Sequence, residues 1–502
     1  MRKRFHSFRD FIVIAFITIK SNSVSLAPIL SAFLIYLSMP PFNLSPLTWI
    51  SLVPLFMMSR DCTTYEIVYM GYSFGILCFG AMIYGIIPYS IIAYLLSTFI
   101  LSLFPVLILL TVHLFYKYLK NQVLQLFAVP IFWVALEYIG AKVYMPLNHG
   151  LFLADHTYLI QISDITGCYG ISFLIWMVNQ AIAITSYNFK NGYFFKKNLK
   201  IFIIISGIFI AVFYYGKLSI RNSSDQISKE LKIAVLQGSV RECYYTNSRY
   251  YPFILDKTEN EYFDLTTKAM AFNPDIIVWP ETAIGINSFR IPEVRQRLYN
   301  VAKAGNCHLL IGSLDLDENL NRYNSIFFIS PTKGLIDRFD KTHLIPYFEN
   351  FFTPGNQIDK VFHSDIGNFG GMICYESAFN HIAQAIVNKG AEALFILADD
   401  GGMKQSTLPL LHKATIIFRA VENKRYTVYA ANSGISMIID PYGRIIKQTK
   451  LFEKAILKGK IKLSSQKTLF SRYGNFFSVI CLILTVLMLA YIFQSARNKS
   501  RK

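Results

Sequence analysis

Apolar segments separated by short polar stretches make up the first 217 residues of the chain. A helix needs about 20 apolar residues to cross the ~30 Å hydrocarbon core of a bilayer. Five segments in this part and one near the C-terminus approach that length. They are Ile67–Tyr89, Ile91–Tyr116, Val123–Ile139, Tyr169–Ser186, Ile201–Tyr215 and Phe476–Phe493. The pattern therefore predicts a membrane helix bundle with one further span near the C-terminal end.

The first apolar stretch, Phe11–Met58, is interrupted by Lys20, Pro28, Pro40, Pro41 and Pro46. We expect it to hold two or three shorter or tilted helices, because proline interrupts helical hydrogen bonding. Its beginning, Met1–Ile19, has the basic start and apolar middle of a signal peptide, but no convincing small-residue cleavage site follows. We therefore expect this segment to be retained.

Residues 221–473 have a different pattern, in which short β-rich runs alternate with helical segments. The predicted strands are Leu231–Leu236, Asp275–Trp279, His308–Ser313, Ser325–Ser330, Gly370–Ile373, Ala393–Leu397 and Tyr426–Ala431. The predicted helices are Thr258–Phe272, Pro292–Ala304, Phe379–Lys389 and Leu408–Glu422. This alternation is typical of an α/β domain in which helices cover the faces of a sheet.

The composition agrees with a membrane protein. Of the 502 residues, 53% are hydrophobic and 16% are charged, whereas soluble domains have about 45–50% apolar and about 25% charged residues. These values exclude a disordered protein and argue against an ordinary soluble enzyme.

The formal net charge of +18 is concentrated in the apolar parts of the chain. Residues Arg221–Arg472 contain 31 Lys and Arg against 25 Asp and Glu, which leaves 18 against 6 for the rest. Positive charge between apolar runs is the pattern of membrane topology, and no nucleic-acid-binding motif accompanies it. We therefore expect no nucleic-acid partner.

Four clusters of basic residues orient the predicted bundle. They are Arg2/Lys3/Arg4/Arg9, Lys117/Lys120, Lys190/Lys196/Lys197/Lys200 and Arg497/Lys499/Arg501/Lys502. Because basic residues favour the cytoplasmic side of a membrane, we place all four clusters there. The arrangement then requires an even number of spans before Lys117, and four would give about eight in all. The predicted domains are a bundle at 1–220, an outward-facing α/β domain at 221–473, and a C-terminal helix with a basic tail at 474–502.

The seven cysteines are spread along the chain and form no CxxC motif. They are Cys62, Cys78, Cys168, Cys243, Cys307, Cys374 and Cys481. This spacing supports neither a zinc site nor a disulfide framework. Cysteine chemistry would therefore have to use a single thiol.

Three residues of complementary chemistry stand at the ends of strand-like runs. Glu281 follows Asp275–Trp279, Lys341 ends the run that contains Arg338, and Cys374 follows Gly370–Ile373. Strand ends are where α/β proteins place their ligands. A sharp strand-to-helix turn at Cys374 would expose the thiol, and the N-terminus of the new helix would favour the thiolate.

Taken singly, each residue has an ordinary structural explanation, since a lone cysteine is usually buried and loop Lys and Glu residues are usually solvated. Together, a thiol, a carboxylate and an ammonium suit acyl transfer. The carboxylate accepts the thiol proton, the sulfur attacks a carbonyl, and the ammonium stabilises the oxyanion. Composition leaves open whether the three meet in space.

The segments around these residues resemble the carbon–nitrogen hydrolase (nitrilase-like) superfamily, whose members use a Glu–Lys–Cys triad. The resemblance lies in VWPETA at Val278–Ala283, DKTHLIP at Asp340–Pro346 and GMICYE at Gly371–Glu376. A multi-span bundle, an outward nitrilase-like domain and one C-terminal span together are similar to the bacterial apolipoprotein N-acyltransferase family. The implied fold is a membrane α-helical bundle of about eight spans plus an extracytoplasmic α/β nitrilase-like α-β-β-α sandwich domain.

The resemblance also implies an activity, transfer of an acyl chain from a glycerophospholipid to the N-terminal amine of a diacylglyceryl-cysteine lipoprotein. Cys374 would be the nucleophile that forms a thioester, Glu281 the general base, and Lys341 the support of the oxyanion. The supporting residues would be Glu349, Tyr375 and Glu376. The expected partners are a glycerophospholipid donor, a diacylated apolipoprotein acceptor and membrane lipids, with no metal and no cofactor. The expected location is the bacterial inner membrane, with the catalytic domain in the periplasm.

The chain departs from the family pattern in two places. Members usually have Asn-Asp, a small residue and Trp after the strand that follows the cysteine helix, whereas Ala398–Gly402 reads ADDGG. The usual Asn after Gln237-Gly238 is replaced by Ser239. These differences affect the expected shape of the substrate entrance and leave the triad intact.

Apolar residues after Lys341 have two interpretations, a flexible lid that contacts an acyl chain or part of the domain core. They are Leu344, Ile345, Tyr347, Phe348, Phe351 and Phe352. Two other functions also stay open. A membrane-anchored amidase could use the same triad, but a soluble amide needs no such bundle. A transporter with an outer binding domain is disfavoured, because the bundle lacks an obvious set of intramembrane charges.

Overall fold

The computed structural model describes residues 23–500 except 89, 144, 145, 147, 193–195, 222–228, 241–251, 286, 287, 347 and 402–405. The predictions made for Met1–Ile19, for the first basic cluster, and for Cys243 and Tyr347 lie outside the described residues. The chain forms two compact units. One contains the described residues up to Ile139, then Ser172–Ala211 and the stretch from Ser478, and the other contains Gly140–Ile171 and Val212–Phe477. The division at residues 220 and 473 stays a prediction.

The helices follow the apolar and amphipathic segments of the sequence. In chain order they are α1 (Ser23–Ser38), α2 (Val53–Met58), α3 (Thr64–Ile83), α4 (Ile91–Leu101), α5 (Leu103–Tyr118), α6 (Gln122–Val143), α7 (Thr157–Ile160), α8 (Ser163–Thr166), α9 (Tyr169–Lys190), α10 (Lys196–Arg221), α11 (Pro252–Met270), α12 (Pro292–Gly305), α13 (Asn380–Asn388), α14 (Leu408–Asn423), α15 (Leu469–Tyr473) and α16 (Phe476–Ser500). Short 3₁₀ turns lie at Ser45–Trp49, Tyr84–Ile86, His149–Leu153, Ser288–Arg290 and Cys374–Ala378.

Within the described residues, six helical stretches are long and apolar enough to cross a membrane. They are Thr64–Ile86, Ile91–Tyr118, Gln122–Val143, Tyr169–Lys190, Asn198–Arg221 and Phe476–Asn498. Five of the six clear segments predicted from the sequence lie within these stretches, and the first one overlaps Thr64–Ile86, so the predicted long apolar helices are confirmed. Two shorter apolar helices, Val24–Ser38 and Ser45–Met58, fall in the proline-interrupted first stretch. The total of eight spans stays a prediction.

Glycine permits a close helix contact in the first unit. A Cβ atom built on Gly71 of α3 would lie 2.6 Å from the Cα of Val106, and one on Gly75 would lie 2.6 Å from the Cα of Ser102. Val106 lies in α5, and Ser102 directly precedes this helix. Small residues four positions apart, such as Gly71 and Gly75, commonly allow membrane helices to pack closely. The start of α3 is fixed by Thr63, which forms a capping box with Glu66.

The second unit contains two six-stranded sheets among its described residues. Its strands are β1 (Glu230–Gln237), β2 (Ile276–Val278), β3 (His308–Leu316), β4 (Arg322–Ser330), β5 (Gly334–Asp340), β6 (Val361–His363), β7 (Asn368–Ile373), β8 (Ala393–Ala398), β9 (Thr427–Ala431), β10 (Met437–Ile439), β11 (Ile445–Gln448) and β12 (Ala455–Lys462). The sheet orders are β12-β1-β2-β3-β4-β5 and β11-β10-β9-β8-β7-β6. In each sheet three neighbouring strands are parallel, β1-β2-β3 in one and β7-β8-β9 in the other.

The two sheets face each other, and helices cover their outer sides. Phe328 on β4 packs against Phe362 on β6, with ring centroids 5.4 Å apart. On the outer side of the first sheet, Tyr262 of α11 stacks on Trp279 at 5.2 Å. On the second sheet, Gly370 of β7 lies so close to α13 that a Cβ would be 2.2 Å from Ile386. This layer order confirms the predicted α-β-β-α sandwich.

Candidate active site

Glu281 follows the short parallel strand β2 and is buried, with 5% of its surface exposed. The chain after β2 stays close to β3, because the backbone N–H of Trp279 donates to the carbonyl of Leu310 at 2.8 Å. Gly312 on β3 allows this approach, since a Cβ there would lie 2.2 Å from the carbonyl oxygen of Pro280. The strand end therefore holds the Glu281 carboxylate in one place inside the domain.

Both oxygens of Glu281 accept hydrogen bonds. Oε1 accepts from Asn324 Nδ2 at 2.7 Å and from Lys341 Nζ at 3.2 Å. Oε2 accepts from the backbone N–H of Asp399 at 2.8 Å. The carboxylate is thus joined to three different strand ends of the domain.

Lys341 follows β5 directly, and its side chain is 1% exposed. Its ammonium donates to Glu281 Oε1 at 3.2 Å and to Glu349 Oε1 at 2.8 Å. Burial acts to lower the pKa of Lys341, but the two carboxylates outweigh it, so the pKa is raised. The ammonium is therefore charged at neutral pH, and it partly neutralises the two carboxylates of Glu281 and Glu349.

Cys374 directly follows β7 and begins a 3₁₀ turn, at the strand end that the sequence predicts. Its backbone has φ of +48°, a left-handed conformation that non-glycine residues rarely adopt. This strained turn directs the chain away from the sheet at the nucleophile. The thiol interacts electrostatically with both Glu281 and Lys341, so the structure brings the three predicted residues together.

The expectation that a helix N-terminus favours the Cys374 thiolate is wrong for this site. The element that follows is a five-residue 3₁₀ turn, and the cysteine is 4% exposed. Burial, followed by the negative charge of Glu281, raises the pKa of the Cys374 thiol well above its usual range, while Lys341 acts in the opposite direction. The nucleophile is therefore a thiol at rest and needs a base that takes its proton.

Two of the predicted supporting residues contact the loops that carry the triad. Glu349 pairs with Lys341, and its second oxygen accepts from the backbone N–H of Ile345 at 2.7 Å. Glu376 is fully buried and accepts from the backbone N–H groups of Ile373 at 2.8 Å and Thr342 at 2.7 Å. Glu376 therefore ties the turn at the cysteine to the residue after the lysine.

Tyr375, the third predicted supporting residue, contacts a different part of the site. Its ring packs edge to face against Phe379, with centroids 5.0 Å apart. The structure therefore places Tyr375 next to the nucleophile and gives it an aromatic contact.

A second polar network beside Cys374 was not predicted from the sequence. Asp400 lies after β8, His412 lies on α14 and Tyr429 lies on β9. His412 Nδ1 is 3.1 Å from Asp400 Oδ1, and Tyr429 donates to Asp400 Oδ2. The only sequence signal was a histidine within the apolar pattern of Leu408–Asn423.

A ligand atom from each of Cys374, Asp400 and His412 lies within 4.8 Å of the others, a set of atoms that could hold a metal ion. The two ring nitrogens of His412 and the carboxylate oxygens of Asp400 already have hydrogen-bond partners within the protein. The expected absence of a metal and of a cofactor stays a prediction.

The two departures from the family pattern lie against the same site. Asp399 accepts from Asn432 Nδ2 at 3.2 Å and from the backbone N–H of Gly401 at 3.1 Å. Burial, together with the nearby charge of Glu281, raises the pKa of Asp399 to about 7. Ser239 has φ of +51° and donates its backbone N–H to the carbonyl of Asn432 at 2.9 Å. The substituted positions therefore meet at Asn432.

The apolar segment after Lys341 is not part of the domain core in its described residues. Leu344, Ile345, Phe348 and Phe352 are half-buried, and half of the Phe351 surface is exposed. Phe351 and Phe352 contact each other with ring centroids 4.5 Å apart. The core interpretation of these residues is therefore wrong, and an acyl-chain contact stays a prediction.

The chain resembles known proteins over most of its length. Residues 232–469 match the carbon–nitrogen hydrolase family, and residues 31–181 match the apolipoprotein N-acyltransferase N-terminal domain. An apolipoprotein N-acyltransferase of Geobacter metallireducens is 28% identical over 93% of this chain and 95% of its own. Apolipoprotein N-acyltransferase 1 of Treponema denticola is 27% identical over 72% of this chain and 76% of its own.

Among solved structures, a Saccharomyces cerevisiae member of branch 10 of the nitrilase superfamily is 22% identical. The match covers 48% of this chain and 93% of that one, with a TM-score of 0.37. The two family matches lie in the same order as the helix bundle and the sandwich. The chain therefore resembles the apolipoprotein N-acyltransferases over most of its length, with a carbon–nitrogen hydrolase domain that follows their N-terminal domain.

Proposed function

We propose that this chain transfers an acyl group from a glycerophospholipid to the N-terminal amine of a diacylglyceryl-cysteine lipoprotein. The observation that carries the proposal is the buried Glu281–Lys341 pair beside Cys374. The match to the apolipoprotein N-acyltransferase N-terminal domain supports lipid substrates in particular. Both substrates carry acyl chains, so an enzyme with membrane helices meets them at high effective concentration.

The first half-reaction would form a thioester on Cys374. Glu281 takes the thiol proton while the sulfur attacks the carbonyl carbon of a phospholipid ester. The ammonium of Lys341 stabilises the negative charge that develops on the carbonyl oxygen. When the ester carbon–oxygen bond breaks, the leaving alkoxide takes the proton from Glu281, and a lysophospholipid departs.

The second half-reaction would pass the acyl group to the lipoprotein amine. Glu281, now ionised again, takes a proton from the amine as its nitrogen attacks the thioester carbonyl. The carbon–sulfur bond breaks, and the Cys374 sulfur leaves as a thiolate that receives the proton from Glu281. The product is an amide, and the site returns to its resting thiol. Glu349 and Glu376 act here by holding Lys341 and the cysteine turn in place.

Mass spectrometry of the protein incubated with phospholipid vesicles tests the first half-reaction. We expect an adduct of the mass of a fatty acyl group on the Cys374 peptide and its loss in Cys374→Ala. Hydroxylamine should remove the adduct, since thioesters react with it readily. Cys307→Ala is a matched control, because Cys307 is also buried but lies at the start of β3, at the opposite end of that sheet from Glu281. A lasting absence of the adduct with every phospholipid tested would contradict the proposal.

The same experiment separates the acyltransferase from a membrane-anchored amidase. Addition of a peptide that carries a diacylglyceryl cysteine with a free amine should discharge the adduct and produce an N-acylated peptide. An amidase would instead turn over a small amide and release the acyl group to water. Turnover of a small amide without any phospholipid adduct would favour the amidase.

The chain is a membrane protein, and we further propose a multi-pass protein of the bacterial inner membrane with its catalytic domain in the periplasm. The distribution of basic residues between apolar segments supports this orientation. A cysteine introduced near Asn222, in a variant without Cys243, should react with a membrane-impermeant maleimide added from the periplasmic side. Reaction only after the cytoplasmic side is opened would overturn the orientation.

A further inference from the structure

His412 lies at the centre of a buried network that the triad mechanism does not use. Its Nδ1 is 3.1 Å from Asp400 Oδ1 and 3.1 Å from the hydroxyl of Tyr429. Its Nε2 is 2.7 Å from the hydroxyl of Ser377 and 3.1 Å from the backbone carbonyl oxygen of Cys374. The ring therefore bridges the turn of the nucleophile and a buried carboxylate.

The hydrogen-bond partners of the His412 ring favour a state in which both ring nitrogens carry a proton. The carbonyl oxygen of Cys374 can only accept, and the Ser377 hydroxyl already donates its proton to that same oxygen at 2.9 Å. On the other side, Tyr429 donates its hydroxyl proton to Asp400 Oδ2. Both ring nitrogens therefore lie beside acceptor atoms, an arrangement that fits an imidazolium with a proton on each nitrogen.

The electrostatic surroundings agree with this assignment. Burial acts to lower the pKa of His412, but the charge of Asp400 and its hydrogen bond outweigh burial, so the pKa is raised. A neutral imidazole has one N–H, so it could donate to either Asp400 or the Cys374 carbonyl but not to both. The other ring nitrogen would then place its lone pair against a buried acceptor oxygen.

The imidazolium lies close to the reacting sulfur. Ligand atoms of Cys374, Asp400 and His412 are all within 4.8 Å of one another. Among the described residues, the charged and titratable groups that face this pair come from several neighbouring elements. They are Asp400, Tyr429, Glu281, Lys341, Glu349 and Asp399, with Arg419 reached through the carbonyl of Ser377. Cys374 therefore lies near two cations, Lys341 and His412, each of which is held by a carboxylate.

We propose that His412, held by Asp400, is a positioning residue that fixes the turn at Cys374 and stabilises the thiolate sulfur. The residue keeps both of its protons throughout. The thiol proton goes to Glu281, and the sulfur forms or breaks its bond to the acyl carbon beside a fixed positive charge. The catalytic consequence rests on the proposed acyl transfer, whereas the effect on the thiol is a property of the site itself.

Alkylation of Cys374 by iodoacetamide tests the proposal without any lipid substrate. The rate is measured from pH 6 to pH 11 by mass spectrometry of the Cys374 peptide in the full-length detergent-solubilised protein. We expect His412→Gln to slow alkylation about tenfold or more at neutral pH, because the neutral amide no longer favours the thiolate. At high pH, where His412 of the parent protein loses its charge, the two rates should converge.

Ser377→Ala is the matched control, because it removes hydrogen bonds to His412 and to the Cys374 carbonyl but removes no charge. We expect its alkylation rate to differ from that of the parent by the same factor at every pH. A pH-independent ratio for His412→Gln as well would mean that the residue is only structural, and it would overturn the proposal.

Two further measurements keep the test decisive. His412→Asn replaces the first variant if the Gln side chain prevents folding, as judged from the melting temperature. If neither variant folds, the pH profile is measured in Asp399→Asn, in which the titration of that neighbour is absent. The logarithm of the alkylation rate should rise with unit slope, pass through a shallower region where His412 loses its proton, and rise again until the thiol itself is fully ionised. A single rise to one plateau would overturn the proposal. Failure of acyl transfer would show separately, as a missing phospholipid adduct.

Discussion

Glu376 accepts a hydrogen bond from the backbone N–H of Thr342 at 2.7 Å, and this contact joins the turn of the nucleophile to the loop of the ammonium. The second carboxylate oxygen accepts from Ile373, the residue before the nucleophile. Lys341 and Cys374 follow strands of different sheets, so their relative position depends on a connection of this kind. The fully buried Glu376 carboxylate therefore helps to fix the position of Cys374 relative to Lys341.

We expect Glu376→Gln to lower both stability and acylation. Its amide nitrogen cannot accept a hydrogen bond, so one buried backbone N–H of Ile373 or Thr342 would lose its partner, at a cost of about 1–3 kcal/mol. The measurements are the melting temperature and the rate of adduct formation per folded protein. Glu392→Gln is the control, since Glu392 accepts from the backbone N–H of Asn368 at the other end of β7. The control should lose stability but keep its acylation rate, and equal losses of rate in both variants would contradict the prediction.

Glu349→Gln should reduce acylation without a comparable loss of stability. Glu349 holds the Lys341 ammonium at 2.8 Å, and its second oxygen anchors the loop at Ile345. A displaced ammonium stabilises the oxyanion less well, so we expect the turnover rate to fall about tenfold to a hundredfold with a smaller change in KM. Asp337→Asn removes a partly exposed ion pair with Lys360 and serves as the control. An unchanged rate in Glu349→Gln would show that Glu281 alone fixes the lysine.

The periodicity of the chain predicted most of the fold, because the parallel central strands are buried along most of their length and the long helices are apolar throughout. The strands β6, β10, β11 and β12 were missed. The first three are short, Ile446–Gln448 of β11 is exposed, and β12 carries the exposed Lys460 and Lys462. The three residues of the triad were found because each stands beside a strand end. His412 was missed because its contact with Cys374 depends on how α14 lies against the second sheet. The raised pKa of the thiol was missed for the same reason, since burial is a property of the folded domain.

Asp399 should make the stability of the protein depend on pH. Burial raises its pKa to about 7 in the folded protein, whereas an aspartate in the unfolded chain has a pKa of about 3.9. A raised folded pKa means that the stabilisation is present at low pH and is lost as pH rises through about 7. Asp399→Asn removes the titrating group, so its melting temperature should fall less between pH 5 and pH 8 than that of the parent. Asp337→Asn should behave like the parent, and an equal fall in all three proteins would refute this assignment.

The glycine contact between α3 and α5 predicts a difference between two otherwise similar substitutions in the bundle. In Gly75→Ala the new methyl group would lie 2.6 Å from the Cα of Ser102, and backbone cannot move aside without separating the helices. Overpacking of this kind costs about 1–3 kcal/mol. In Gly207→Ala on α10, no atom beyond the local backbone of that helix and the two neighbouring residues lies within 4 Å of the new Cβ, and alanine favours a helix over glycine by roughly 0.5–1 kcal/mol. We therefore expect the melting temperature to fall in Gly75→Ala and to stay equal or rise in Gly207→Ala. A similar melting temperature for the two variants would mean that α3 and α5 do not approach this closely in the membrane.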